Sequence, residues 1–163
     1  MAQKYAIVEN LIIEKSPASG DPLVFEVGNT CVYEAKIVNG ESSVDIYVTT
    51  GFAYFENTVI FPLSIEKQTI GSPLPGEVID PFGEVECTQD VMDAALNGKD
   101  IVFLCSTAHY TGVGYVVDST YSINVAMKKP DNGNGNGNGN GKIDWTKLII
   151  MGFIIYVIFS SME

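Results

Sequence analysis

The chain has 163 residues and is acidic: 20 carboxylates stand against 9 lysines, with no arginine, for a net charge of −11. Nucleic-acid binding draws on Lys/Arg patches that displace counterions, so this composition argues against a nucleic-acid partner. A single histidine and the missing guanidinium groups narrow any enzyme chemistry to Asp, Glu, Lys, Ser, Thr, Tyr and one imidazole.

Residues 1–129 are long enough for one domain with its own core. They hold 17 of the acids and 7 of the lysines. No Asn-x-Ser/Thr site occurs, and the apolar run Tyr5 to Val8 is broken by Glu9 and Asn10. A secretory signal needs a positive start and a longer apolar stretch, so the expectation is a head made and folded in the cytosol. Three widely spaced cysteines, Cys31, Cys87 and Cys105, do not form a disulfide framework and are expected as buried thiols.

Strand signals dominate the head. Tyr5 to Lys15 is apolar and β-branched. Leu23 to Val27 and Thr30 to Val38 flank Gly28-Asn29, which reads as a tight hairpin turn. Val44 to Thr49 alternates, with Val44, Ile46 and Val48 on one face. Phe52 to Phe55 and Thr58 to Leu63 follow. Gly71 to Gly83, with three prolines, is a crossing loop. Thr88 to Asn97 is the one helix candidate of the head, with Thr88 placed to cap it and Asn97-Gly98 to stop it. Asp100 to Thr107, Tyr110 to Asp118 and Thr120 to Lys128 complete the set, with His109 in the loop between two of them. The expected fold is mainly β: an antiparallel β-sandwich, jelly-roll or immunoglobulin-like, followed by a C-terminal transmembrane α-helix.

Asn132 to Gly141 is five consecutive Asn-Gly pairs, and residues 130–141 read as a flexible linker. As a Gly-rich coil they span about 20 Å, and about 40 Å when fully drawn out. Residues 142–163 read as the anchor. Leu148, Ile149, Ile150, Phe153, Ile154, Ile155, Tyr156, Val157, Ile158 and Phe159 lie in an uncharged run, with Trp145 and Lys147 at its head-side boundary. The run is apolar all round, and its flanks carry the residues that sit at bilayer interfaces. Taken as helix, Trp145 to Met162 measures about 27 Å, close to a hydrocarbon core of about 30 Å. Four lysines precede the run, and only Glu163 among charged residues follows it. The positive-inside rule then puts the head on the cytoplasmic side of a single-pass, tail-anchored chain.

No active site assembles in the sequence. Ser106, His109 and Asp118 could make a triad, but no nucleophile elbow surrounds them. Cys31, Cys87, Cys105 and His109 lack the paired spacing of a zinc site. Asp80, Glu84, Glu86 and Asp90 crowd eleven residues without an EF-hand pattern, and read as a solvated acidic face with cation binding as the alternative. Gly112-Val-Gly114 lacks the Lys-Ser/Thr of a phosphate loop and reads as a bend in a strand. Phe52, Tyr54 and Phe55 put aromatics on both faces of one strand, and are the predicted contact surface for a protein partner. The expectation is a non-enzymatic interaction or structural protein with no cofactor and no resident metal.

Thr30 to Leu63 as sandwich strands, Asn132 to Gly141 as tether and Leu148 to Phe159 as span give an outline that resembles minor capsid proteins of icosahedral viruses with an internal membrane. The resemblance implies a β-sandwich that ties bilayer to shell, with a capsid protein as partner and the head on the capsid side of the membrane. A homo-oligomer is also among the expected partners, beside the lipid bilayer. The alternative is a cellular tail-anchored adaptor or surface binding module.

Overall fold

The computed structural model describes residues 5–40 and 44–130; the predicted linker beyond Pro130 and the anchor lie outside them. The described chain runs β1 (Ala6–Ser16), β2 (Val24–Phe25), β3 (Thr30–Asn39), β4 (Ile46–Glu56), β5 (Val59–Thr69), β6 (Val78–Ile79), β7 (Phe82–Glu86), α1 (Gln89–Leu96), β8 (Ile101–Tyr110), β9 (Tyr115–Asn124) and β10 (Ala126–Met127). The architecture is mainly β, and its two larger sheets are antiparallel. In the first, β3 pairs with β1 on one side and with β6 and β7 on the other. The second has the order β5-β4-β8-β9. Two-residue β2 and β10 form a small parallel pair. Among the described residues no helix is long and apolar enough to cross a membrane.

Strict alternation fixes the first sheet. Along β3, Cys31, Tyr33, Ala35 and Ile37 point inward, while Val32, Glu34 and Lys36 are exposed. They meet Ile46, Val48 and Phe52 of β4 and Ile101, Phe103 and Cys105 of β8 in one core. Phe52 is its hinge-point, with Phe25 5.2 Å and Phe103 5.1 Å away, both edge-on. Burying each such ring contributes about 2–3 kcal/mol. Val91 on α1 plugs one end of this core.

Several expectations change: Tyr110 to Asp118 and Thr120 to Lys128 are not two strands but share the single strand β9, and the crossing loop Gly71 to Gly83 carries β6 and the start of β7. Gly28-Asn29 does not join a hairpin: β2 is two residues long and pairs with β10 instead of β3. Gly28 has φ +89° and donates to the Cys87 carbonyl, and the Cys87 N–H returns to the Asn29 carbonyl. The turn therefore faces the end of β7 rather than folding β2 back. The two stretches predicted around Gly51 are a single strand, β4. Its tight turn to β5 is the two-residue loop Asn57-Thr58, both at positive φ. Finally, His109 lies inside β8 rather than in a loop, and the β8–β9 turn is at Thr111 to Gly114. Gly112-Val-Gly114 is that turn, not a mid-strand bend. Inward-facing and outward-facing residues of β8 are both buried, so the alternation that would have located the turn is missing.

The register slips once in each of the β1–β3, β4–β5 and β8–β9 pairings, where Glu9, Leu63 and Asp118 are the extra residues, while β4–β8 runs without a slip. Bulges re-aim side chains. Here the slip after Thr107 turns Asp118 inward, where it is buried.

Candidate functional site

The triad residues separate into two groups. His109 and Asp118 do meet: the His109 Nδ1 lies 3.0 Å and 3.1 Å from the two carboxylate oxygens. Both side chains are buried. Asp118 also accepts the Tyr5 N–H at 3.0 Å, and the Tyr5 ring lies 4.0 Å from the imidazole, centroid to centroid. Ser106 projects from the opposite face of β8 and bonds Thr120 Oγ1 at 2.9 Å. Thr107, on the His109 face, already donates to the Ala6 carbonyl at 2.8 Å. Neither candidate hydroxyl is thus directed at the pair, which fastens the start of β1 to β9. Sequence spacing alone does not reveal Tyr5 or Thr107 as its partners, because both belong to it only through the register.

The cysteines are free thiols with no exposed surface. Burial pushes Cys31 and Cys87 up to about 12 and Cys105 up to about 11, which leaves them protonated and poor metal ligands. No cluster of three or more His, Cys, Asp or Glu side chains fit to hold a metal occurs among the described residues. That covers both the zinc quartet and the group Asp80, Glu84, Glu86 and Asp90. Glu84 and Glu86 do share one exposed face of β7.

The aromatic trio divides. Phe52 is wholly buried at the centre of the core and takes no part in any surface. This corrects the expectation for that residue: the inner face of β4 is the one it occupies. Tyr54 also packs against the core, and its ring stacks on Phe61 at 5.0 Å. Phe55, at the end of β4, is exposed.

A more coherent apolar surface lies at the far end of the head. The turns after β3, β5 and β8 converge there, since Ala6 pairs Asn39, Ile46 pairs His109 and Tyr47 pairs Thr69. Val113 at the β8–β9 tip is 93% exposed and Leu74 in the β5–β6 loop 69%. Tyr110 and Val116 flank the tip, and the rings of Tyr47, Tyr115 and Tyr110 follow one another at 5.0 and 5.1 Å. Asn39 steadies the loop by donating to the Pro73 and Leu74 carbonyls. The signal was present in the sequence as a seventeen-residue run, Ile101 to Val117, with no formal charge. At the opposite end the chain leaves through Lys128 to Pro130, beside a groove of about 400 Å³ lined also by Val27, Met92 and Leu96.

No protein-family model matches the chain, and no curated protein matches it. Among solved structures it is similar to Spo0M, the sporulation control protein of Bacillus subtilis, at 13% identity and a TM-score of 0.43. That match covers 77% of this chain, which spans 50% of the Spo0M chain. It is also similar to a protein from Archaeoglobus fulgidus at 13% identity and a TM-score of 0.39, covering 76% of this chain and 99% of that one.

Proposed function

We propose that the chain is a non-enzymatic structural protein that holds a β-sandwich head on a membrane and links that membrane to a protein shell, as a minor capsid protein of a membrane-containing virus does. The observation that carries the reading is polarity. The uncharged apolar tip of β8–β9 and the tether exit at Pro130 lie at opposite ends of the head. β9 alone separates them by about 30 Å. With the tail embedded in a bilayer, that tip is the end of the head farthest from the tether exit and is free to meet a partner. Exposed aromatic and aliphatic residues without charge suit a protein surface better than a polyanion.

The strand order supports an immunoglobulin-like sandwich over a jelly roll. The succession β1-β3-β7 against β5-β4-β8-β9 follows the immunoglobulin pattern A-B-E against C′-C-F-G. On that frame the apolar tip is the F–G loop, at the end where variable domains carry their binding loops.

Lysine cross-linking with mass spectrometry on the native membrane or particle fraction tests the reading. The expected result is cross-links from the head to one abundant shell-forming protein at fixed stoichiometry, reduced when Val113→Asp is introduced. A scatter of cytosolic partners without any particle overturns the capsid reading and leaves the tail-anchored adaptor.

A further inference from the structure

The outer face of the β1-β3-β7 sheet interleaves exposed apolar side chains with carboxylates. Its rows run Ser16-Thr30-Glu86, Glu14-Val32-Glu84 and Ile12-Glu34-Phe82. Phe82 is 76% exposed and Ile12 53%, and Val32 is exposed as well. Glu34 stands directly between Ile12 and Phe82, and Val32 directly between Glu14 and Glu84. Residues directly opposite lie about 5 Å apart at Cβ, and diagonal neighbours about 7–8 Å. Glu34 is therefore near both Glu14 and Glu84, and Glu86 follows Glu84 on the same face. Among the described residues none of these four carboxylates has an ion-pair partner. The one lysine on this face, Lys36, is taken by Glu9 at 2.9 Å.

Both halves of this pattern are unfavourable in the isolated head. Like charges at these spacings repel, and an exposed phenyl ring keeps apolar surface in water. A cationic side chain with a flat apolar face relieves both at once. Arginine has that shape: its planar guanidinium lies on the Phe82 ring while its N–H groups bond the Glu34 carboxylate opposite. Glu14 and Glu84 accept further cations on either side of Val32, which offers an aliphatic contact between them. The three rows span about 13 Å along the strands and about 10 Å across them, room for four extended residues or about two helical turns.

We propose that this face docks a short arginine-bearing segment of a partner protein, with one guanidinium on the Phe82 ring and bonded to Glu34. Charge complementarity selects that occupant. Nucleic acids and bilayer headgroups present phosphates, which these carboxylates repel. A second copy brings the same net charge of −11 and no arginine. The surface is separate from the uncharged tip at Val113, and the proposal does not depend on the membrane anchor.

The test uses the full chain in a nonionic detergent at physiological salt. The probe is a short fluorescein-labelled peptide of alternating arginine and valine, its binding read by fluorescence anisotropy. Glu34→Gln and Phe82→Ala should each weaken binding roughly tenfold. The same peptide with lysine in place of arginine should bind the parent several-fold more weakly. Asp100→Asn removes an exposed charge ahead of β8 and should leave the affinity unchanged. All three side chains are exposed, so the variants keep the fold. Equal weakening by Glu34→Gln and Asp100→Asn overturns the proposal, because binding then follows net charge alone. An undiminished affinity in Phe82→Ala overturns it too, as does a lysine peptide that binds as tightly as the arginine one, or a parent that binds neither. Sedimentation that finds the parent dimeric and Phe82→Ala monomeric overturns it in favour of a second copy.

Discussion

The two large sheets meet along two seams, and the seams are built differently. At one, side chains from β9 and β8 bind the backbone of β1. Asp118 takes the Tyr5 N–H, Ser119 Oγ takes the Val8 N–H at 3.1 Å, and Thr107 donates to the Ala6 carbonyl. At the other, alternate residues of β5 reach toward β7. Ser64 donates to the Glu86 carbonyl, Glu66 accepts from the Tyr33 hydroxyl at 2.7 Å, and Gln68 donates to that hydroxyl at 2.9 Å. The first seam is mostly buried and rests on a bulge; the second is wetter and rests on a glycine. A Cβ on Gly83 would collide with the Glu66 carboxylate and sit 2.9 Å from the Tyr33 oxygen. Both seams spare the sheet edges from exposure, one by burying backbone donors and the other by covering them with long polar side chains.

The largest test of the second seam is Gly51→Ala. Gly51 has φ +154°, and an added Cβ would strike the Ser64 carbonyl and lie 2.7 Å from Ile65 Cα. Both are backbone, so β5 must move, and Ser64, Glu66 and Gln68 move with it. The expected loss is about 3–4 kcal/mol in denaturant unfolding. A loss below about 1 kcal/mol would mean that β5 slides freely and the seam holds little.

Asp118→Ala is the matching break in the first seam. It strands the Tyr5 N–H and the His109 ring nitrogen in a buried site, at about 2–3 kcal/mol. Asp118→Asn keeps one acceptor oxygen and should recover part of that. If both variants cost the same, the carboxylate charge matters more to the seam than its geometry.

Tyr33→Phe follows at about 1.5 kcal/mol, because Glu66 and Gln68 are near enough to the surface to recruit water. Its pH dependence separates the seams. Burial, and then the Glu66 carboxylate beside it, hold the Tyr33 hydroxyl above its ordinary range. The folded chain therefore keeps this proton more tightly than the unfolded one. The contribution is complete below about pH 10 and falls as pH rises past it, by up to about 1.4 kcal/mol per pH unit. Stability curves of the parent and Tyr33→Phe should converge above about pH 10. The buried thiols lose stability in both proteins alike and cancel from the difference. The gap between the parent and Asp118→Ala should show no such closure.

The legible parts of the molecule were those with one-sided burial. β3 announces itself because Cys31, Tyr33, Ala35 and Ile37 alternate with exposed residues, and α1 because Thr88 and Asn97 bracket it. What resisted reading has a physical cause in each case. β8 is buried on both faces, so period-two alternation vanishes and His109 looked like a turn residue. Asp118 faces inward only because of a one-residue slip, which no local pattern encodes. Gly28-Asn29 has the composition of a hairpin turn and does close on Glu26, but the Gly28 N–H and the Asn29 carbonyl bond to Cys87, nearly sixty residues away, instead of pairing β2 with β3. Of the candidate contact residues, Phe52 is buried and Phe55 exposed, a division that aromatic composition does not predict because it does not say which face is inward. The apolar tip at Val113 was in view as an uncharged run, yet was not distinguishable from core until the turn was located.

The finest comparison of the seams pairs two serines. Ser119→Ala removes the acceptor for the Val8 N–H at a partly buried site, whereas Ser64→Ala removes a donor to the Glu86 carbonyl at an exposed one. Water can replace the second partner and has little access to the first. Ser119→Ala should therefore cost about 1 kcal/mol and Ser64→Ala about 0.5 kcal/mol or less. Urea midpoints at unchanged m-value read the difference directly. Equal costs would show that both seams are wet to the same degree. In that case the firmness of the first seam comes from Asp118, His109 and Thr107 rather than from Ser119, and Asp118→Ala combined with Ser119→Ala should be additive rather than coupled.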